Sequence, residues 1–242
     1  MDIDARCREI LTEGFCVFKG LLPKDVVLAC ARSFAPVLEE HVAQAGDQSN
    51  RGSARHFVAL PFELPFADPI LYENQTILSI VERILGADMA IGTYATDTPL
   101  EGSVYQDVHS DIGPLFADLD FIPPPYVIAV NFSFVDVTEE NGPFEIAPGT
   151  HRLPKEEALE QIKHGEIPLE PLFLEIGDVL IRDPRCLHRG TPNRTAIPRP
   201  VAVISIVRAW YRFVYIPFIP KAEHARLSER ARQLFRFIPV GA

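Results

Sequence analysis

The chain has 242 residues, a mass of 27.0 kDa and a composition that is 47% hydrophobic and 23% charged. These values are ordinary for one soluble globular domain with a sizeable core. The 33 Asp and Glu residues outnumber the 23 Lys and Arg residues, which gives a net charge of −10 and argues against a nucleic acid partner. No apolar run is long enough to span a bilayer, and the charged start lacks a signal-type apolar core. We therefore expect a cytoplasmic protein without a membrane partner.

The first 87 residues predict helices around one short strand. Apolar residues recur at helical spacing in three segments, and glycines stand where two of them end, at Gly14 and Gly86. Pro36 is expected to kink or divide the second helix. The predicted elements are helices over 4–13, 24–42 and 76–85, a strand over 15–18 and an exposed polar loop over 43–56. We interpret this part of the chain as a support layer.

After Asp88 the chain changes to short β-prone runs separated by Gly, Pro and Asn turns. Strands are predicted over 89–97, 103–110, 126–137, 143–147, 169–175, 178–182 and 199–209, and helices over 154–164 and 221–235. Many short strands of this kind favour a sandwich or jelly roll over alternating β-α units. We therefore predict a mainly β fold with flanking helices, in one domain over 1–242. Its support elements are expected at about 1–87, its jelly-roll core at about 88–212 and its last helix at about 221–235.

The most informative short motif is His-x-Asp, formed by His109 and Asp111. On an extended strand, residues two apart leave the same face, so an imidazole and a carboxylate can bind one metal ion from the same side. His188 can complete the site if a second strand folds back over the first. Two histidines and one carboxylate on one side are the ligand set of the non-haem Fe(II) facial triad, whose open positions receive O2 and an organic co-substrate. Taken alone, the motif is equally typical of a surface turn with a His–Asp hydrogen bond.

Arg199 follows His188 across a turn built on residues 191–194, so a hairpin can return it to the same barrel. A buried guanidinium suits the far carboxylate of a dicarboxylic keto acid, because its planar fork donates two parallel hydrogen bonds. Ser205 shares the face of Arg199 on the same predicted strand and can add a hydroxyl contact. The alternative is a surface arginine between Pro198 and Pro200.

Several segments together resemble the phytanoyl-CoA dioxygenase (PhyH-like) family. The resemblance covers about residues 10–210. It is carried by Gly14–Leu22, by Glu140–Pro143 with Pro148–Arg152, by Gly177–Ile181, by His188–Asn193 and by Arg199. It implies a double-stranded β-helix, or cupin-like jelly roll, buttressed by helices on one sheet.

The resemblance also implies residue roles and cofactors. His109, Asp111 and His188 would hold Fe(II), and Arg199 would bind the carboxylate of 2-oxoglutarate, with O2 as the second co-substrate. Gln106 and Thr96 match positions that often contact the co-substrate in relatives. Family halogenases lack the carboxylate of the motif, so the presence of Asp111 predicts oxygen chemistry. The chain departs from its relatives at Tyr105 and Val108, where several carry Trp, and at Thr150 and Thr191.

These patterns predict an Fe(II)- and 2-oxoglutarate-dependent dioxygenase that oxidises, by hydroxylation, a small organic metabolite. Desaturation, epimerisation or oxidative cyclisation at the same site, a non-catalytic jelly-roll binding protein and a Zn or Mn cupin-like hydrolase are the alternatives. His151 and Cys186 are interpreted as structural residues, and the four cysteines as reduced thiols. The loops 43–56 and 112–125 are candidates for a lid over the site. Either a monomer or a homodimer is compatible with the composition.

Overall fold

The computed structural model describes residues 2–45, 51–116, 121–212, 216 and 218–241. Its helices are α1 (Ile3–Glu13), α2 (Lys24–Ala45), α3 (Pro69–Tyr72), α4 (Gln75–Leu85), α5 (Lys155–Lys163), α6 (Lys221–Arg226) and α7 (Glu229–Leu234), with a 3-10 turn at Thr150–Arg152. Its strands are β1 (Phe15–Phe18), β2 (Arg55–Ala59), β3 (Met89–Pro99), β4 (Val127–Ser133), β5 (Phe144–Ile146), β6 (Glu170–Leu172), β7 (Val179–Arg182), β8 (His188–Gly190), β9 (Val201–Arg208), β10 (Ile219–Pro220) and β11 (Val240–Gly241). Parts of both predicted lid loops, 46–50 and 117–120, lie outside the described residues.

Nine of the eleven strands form a major and a minor antiparallel sheet, and β10 and β11 pair in parallel with each other. The major sheet has six strands in the order β1-β7-β4-β9-β3-β2, and the minor sheet has three in the order β6-β5-β8. Phe144 of the minor sheet packs with Leu180 of the major sheet, so the two sheets face each other. This is the predicted mainly β jelly roll with flanking helices, and the prediction of the fold class is confirmed.

The outer face of the major sheet packs on helices α1, α2 and α4. Alternation along β4 shows the division: Ile128, Val130 and Phe132 join the large core shared with the helices, whereas Val127 and Asn131 face the space between the sheets. Because both faces are covered, every residue of β4 is buried. The helices therefore brace one wall of the site and leave its inner face free for chemistry.

Helix ends follow the local sequence. Asn74 caps α4, its side-chain oxygen accepting from the backbone N–H groups of Thr76 and Ile77 at 3.0 and 3.2 Å. Gly14 ends α1 with a φ of +89°, a conformation that glycine adopts without strain. Pro36 lies inside α2, which continues as one helix on both sides of it.

Three predicted elements differ from the structure, and some short elements were not predicted. Residues 103–110 form no strand, and β2 begins inside the predicted loop 43–56. The short strand β8 was not predicted, because three residues of sequence His-Arg-Gly carry no strand signal of their own. The predicted helix 221–235 is two helices, since Leu227 is extended and Ser228 caps α7 by accepting from the Ala231 N–H at 2.9 Å. Within the described residues, no helix is long and apolar enough to cross a membrane.

Candidate active site

His109 and His188 lie opposite each other across a single antiparallel bridge. The N–H of each residue donates to the carbonyl oxygen of the other at 2.9 Å. His188 belongs to β8, which pairs with β5 through Ile146, so His109 extends the edge of the minor sheet by one residue. The ring centroids lie 4.5 Å apart. The segment around His109 is therefore held by His188 itself, although it is not a strand.

Asp111 completes a three-residue cluster with the two histidines. Its backbone N–H donates to the Pro184 carbonyl oxygen at 3.0 Å, which fixes the chain two residues beyond His109. Its Oδ1 atom lies 3.8 Å from Nε2 of His109 and 3.4 Å from Nε2 of His188. One donor atom from each residue lies within 4.8 Å of the others. This is the two-histidine, one-carboxylate donor set that suits a non-haem iron ion.

Backbone carbonyl groups select the nitrogen that each ring presents. Nδ1 of His109 lies 2.7 Å from the Asp107 oxygen, and Nδ1 of His188 lies 2.8 Å from the Cys186 oxygen. A carbonyl accepts only from N–H, so both Nε2 atoms are left unprotonated towards the cluster in the neutral rings. Burial, together with the neighbouring His188, lowers the pKa of His109. The neutral imidazole that binds metal is thus favoured.

Arg182, a residue that the sequence analysis missed, holds the carboxylate of Asp111. Its Nη2 donates to Oδ2 of Asp111 at 2.7 Å, and its Nε donates to Oδ1 of Asn131 at 3.1 Å. Burial alone would raise the pKa of Asp111, but the Arg182 guanidinium and the His188 ring hold it well below the usual value. A charged residue at the end of the otherwise apolar strand β7 was the available signal.

A cavity of about 220 Å³ lies between the sheets and opens on the three clustered residues. Arg199 lines it and is only 2% exposed. Within the described chain, the one hydrogen bond of its guanidinium runs from Nε to the Asn141 oxygen at 3.4 Å. Burial lowers the pKa of Arg199 to about 10, against the opposing effect of Asp97, so the side chain stays charged at neutral pH. A buried cation with unused donors suits an anionic ligand.

A second buried arginine, Arg55, neutralises the charge of Asp97, the acidic residue beside Arg199. Nη1 of Arg55 donates to Oδ2 of Asp97 at 2.8 Å, and Nη2 donates to the Thr191 oxygen at 2.9 Å. A Cβ on Gly190 would lie 2.5 Å from this guanidinium, so the glycine of β8 makes room for it. Asp97 therefore brings no unbalanced negative charge to the cavity.

Three predicted co-substrate residues fall in different places. Gln106 lines the cavity, and its Oε1 accepts from the Gly190 N–H at 2.9 Å. Ser205 also lines the cavity, but it lies six positions after Arg199, about 20 Å of extended chain away. Thr96 does not line the cavity: its hydroxyl lies on the helix side of β3 and pairs with that of Thr98 at 2.9 Å. Alternation on a strand explains this, since Asp97 next to it faces inwards.

His151, Thr150 and Cys186 lie behind β8 and support it, which agrees with the interpretation of His151 and Cys186 as structural residues. Nε2 of His151 lies 3.2 Å from the Leu11 oxygen, and a Cβ on Gly14 would lie 2.8 Å from its Nδ1. Thr150 accepts from the Leu187 N–H and donates to the Ala147 oxygen, both at 2.8 Å. Cys186 is buried, and its Sγ lies 3.1 Å from the same oxygen. These contacts fix the turn that leads into His188.

The double-stranded β-helix and the donor set together define a non-haem iron- and 2-oxoglutarate-dependent dioxygenase. The sequence model of the family "Phytanoyl-CoA dioxygenase (PhyH)" matches residues 11–201. The chain belongs to this phytanoyl-CoA dioxygenase family.

Three relatives illustrate the similarity. The chain is 22% identical over 239 residues to the multifunctional dioxygenase ausE of Penicillium brasilianum, covering 93% of this chain and 79% of that protein. It resembles the crystal structure of EctD from S. alaskensis with 2-oxoglutarate and 5-hydroxyectoine, at 19% identity and a TM-score of 0.66, covering 86% of this chain and 77% of that one. It also resembles the epimerase SnoN in complex with Fe3+, alpha ketoglutarate and nogalamycin RO, at 20% identity and a TM-score of 0.62, covering 87% and 86% of the two chains. At these identities the solved structures show a shared fold.

Proposed function

We propose that His109, Asp111 and His188 bind one Fe(II) ion and that the enzyme hydroxylates a small organic metabolite. The reaction consumes 2-oxoglutarate and O2 and releases succinate and CO2, one oxygen atom entering each organic product. The observation that carries this proposal is the convergence of two Nε2 atoms and one carboxylate oxygen within 4.8 Å at the wall of a cavity. Bound iron would supply the activation of O2.

The residues around the donors are suited to keep them ready for a metal ion. The two backbone carbonyls hold the histidines in the tautomer that directs Nε2 inwards. Arg182 holds Asp111 ionised and occupies Oδ2, which leaves Oδ1 towards the histidines. The three donors lie on one side, so the positions facing the cavity stay available to the co-substrates.

Arg199 is proposed to anchor the far carboxylate of 2-oxoglutarate. Its guanidinium is buried, charged and directed into the same cavity, with Nη donors that make no hydrogen bond to the described residues. A bidentate pair would fix the orientation of the keto acid before O2 arrives. Gln106 is proposed to line the co-substrate end, where its side chain also ties the segment before His109 to β8.

Epimerisation is the second candidate, because the epimerase SnoN shares this fold. Hydroxylation, epimerisation, desaturation and cyclisation begin from the same ligand set, so these reactions are distinguished by their products. A product heavier by one oxygen atom supports hydroxylation. An isomer of the substrate supports epimerisation, and a product lighter by two hydrogen atoms supports desaturation or ring closure.

The test is anaerobic titration of the purified protein with Fe(II) and then 2-oxoglutarate. A weak visible charge-transfer band is expected for the wild-type protein and should be lost in His188→Ala, which removes one proposed ligand. The exposed His164→Ala serves as the matched control and should keep the band. A correctly folded wild-type protein without the band, or a His188→Ala variant that retains it, would contradict the proposal.

A further inference from the structure

We propose that Thr93 and Ser205 form the binding site for an uncharged oxygen atom, a ketone or alcohol group, of the substrate to be oxidised. This inference rests on the proposed function, because it assigns Arg199 to 2-oxoglutarate. It identifies the substrate class as a neutral, oxygen-bearing and otherwise apolar molecule.

The two residues lie in one row across the inner face of the major sheet. Thr93 of β3 pairs with Ser205 of β9, Ser205 pairs with Ala129 of β4, and Ala129 pairs with Arg182 of β7. Arg182 in turn reaches Asp111. The row therefore adjoins the metal donors. Ser205 lies six positions after Arg199, about 20 Å of extended chain, beyond the reach of the carboxylate anchored there.

Both hydroxyl groups lack a protein partner. The Thr93 hydroxyl is buried without a hydrogen bond to any described residue, and the residue is 1% exposed. Ser205 is 8% exposed, and its side chain makes no hydrogen bond within the described chain. Buried hydroxyl groups are normally satisfied. Side chains directly opposite on neighbouring strands have Cβ atoms about 5 Å apart, so one ligand oxygen can accept from both.

The acidic groups of the cavity are already paired with arginines, whereas Nη1 of Arg182 is buried without a partner among the described residues, and Arg51, which also lines the cavity, lies over the Phe57 ring. Arg182 neutralises Asp111, Arg55 neutralises Asp97, and Asn131 donates to the Ala202 oxygen while accepting from Arg182. With Arg199 used by the co-substrate, no free charge remains in this row to compensate an anionic substrate. An unpaired carboxylate would therefore be costly to bury here.

The surroundings of the row are small and apolar. Ala129 separates Ser205 from Arg182, and it packs with Ala95 and Val203. Val127, Phe144 and Leu180 also line the cavity. Short side chains beside the hydroxyl pair leave room for a ring or chain, while the apolar walls favour hydrocarbon.

Ligand-observed NMR titration of the metal-free protein with cyclohexanone tests the site without iron. Thr93→Val and Ser205→Ala should each weaken binding about 3- to 10-fold, the loss of one hydrogen bond. Thr98→Val is the matched control: it removes a hydroxyl from the same strand on the opposite face, and its affinity for cyclohexanone should stay within twofold of wild type. In Arg199→Met, which lacks the anion anchor, cyclohexanecarboxylate should bind at least about 10-fold more weakly than cyclohexanone.

Unchanged affinity in Thr93→Val and Ser205→Ala would overturn the assignment of the hydroxyl pair. The absence of cyclohexanone binding to the wild-type protein would overturn it as well. Equal or tighter binding of the carboxylate would overturn the neutral substrate class. Failure of the proposed function is recognised separately, by the missing Fe(II)–2-oxoglutarate band in a folded protein.

Discussion

Arg182 and Asp111 join the wall of the barrel to the segment that carries two of the proposed metal ligands, His109 and Asp111. Nη2 of Arg182 lies 2.7 Å from Oδ2 of Asp111, while Oδ1 of the same carboxylate lies 3.4 Å from Nε2 of His188. One oxygen is thus held by the protein and the other is directed at the histidines. Since Arg182 sits on β7, between β1 and β4, the major sheet determines how a carboxylate on an irregular segment is presented.

Arg182→Met should weaken Fe(II) binding about 10- to 100-fold, because it leaves Asp111 without its partner while keeping an unbranched side chain at the position. Titration with Fe(II) under anaerobic conditions measures the affinity, and circular dichroism checks the fold. Arg182→Lys should recover part of the affinity. Arg189→Met is a suitable control, since Arg189 follows His188 but pairs with Glu145. Wild-type affinity in Arg182→Met would show that Asp111 positions itself unaided.

Arg199→Met should raise the concentration of 2-oxoglutarate needed for half-maximal turnover on the order of 10- to 100-fold. This is the loss of affinity expected when charge-assisted hydrogen bonds to a carboxylate are removed. The maximal rate at saturating 2-oxoglutarate should change far less, because Arg199 contacts none of the three donor residues. Arg199→Lys keeps the charge but loses the planar fork, so an intermediate value is expected. Steady-state kinetics at varied 2-oxoglutarate separate the two parameters. An unchanged requirement would remove Arg199 from the co-substrate site.

The sequence was sufficient to predict that His109, Asp111 and His188 lie together, but not how they are brought together. The same-face argument placed His109 and Asp111 on a strand, whereas the structure has one bridge to His188 and an irregular chain. Strand propensity cannot reveal β8, whose pairing depends on β5 and on Gly190 admitting Arg55. The support helices were predictable, because their apolar spacing and end residues are local signals.

Residues that act through tertiary contacts were the ones missed. Arg182 and Thr93 have no motif around them, and their roles depend on which strands become neighbours. Ser205 lines the cavity as the shared strand face predicted, yet six positions of chain separate it from the carboxylate anchor at Arg199. Thr96 was assigned by family likeness, and the alternation of β3 turns it away from the cavity.

Gly142→Ala should destabilise the protein by about 3 kcal/mol. Gly142 has a φ of +87°, and a Cβ there would lie 2.5 Å from the Pro192 oxygen. The backbone conformation accounts for about 1 kcal/mol, and the overlap with a rigid main chain for about 2. Gly102→Ala is the matched control, because Gly102 has a φ of +83° and open space around it, so only the backbone cost applies. Urea unfolding midpoints compare the two variants.

The same substitution should also weaken 2-oxoglutarate binding, since the Asn141 oxygen that accepts from Arg199 directly precedes Gly142. Equal destabilisation of the two alanine variants would show that the turn at 141–143 moves without cost away from residues 191 and 192.

Alkaline pH should reduce stability through buried thiols. Burial raises the pKa of both Cys16 and Cys30 to about 12 in the folded protein, whereas the pKa of an unfolded cysteine is about 8.5. Between these values the folded state binds more protons than the unfolded state, so stability is fully present below about pH 8.5 and falls as the pH rises.

Urea unfolding at pH 7, 8.5 and 9.5 measures how steeply the free energy of unfolding falls with pH. The double variant Cys16→Ala/Cys30→Ala should lose less stability over this interval than wild type, and both thiols should react with a disulfide reagent only after unfolding. Rapid reaction of the native protein at pH 8 would show that these cysteines are accessible and would remove the basis of the expected pH dependence.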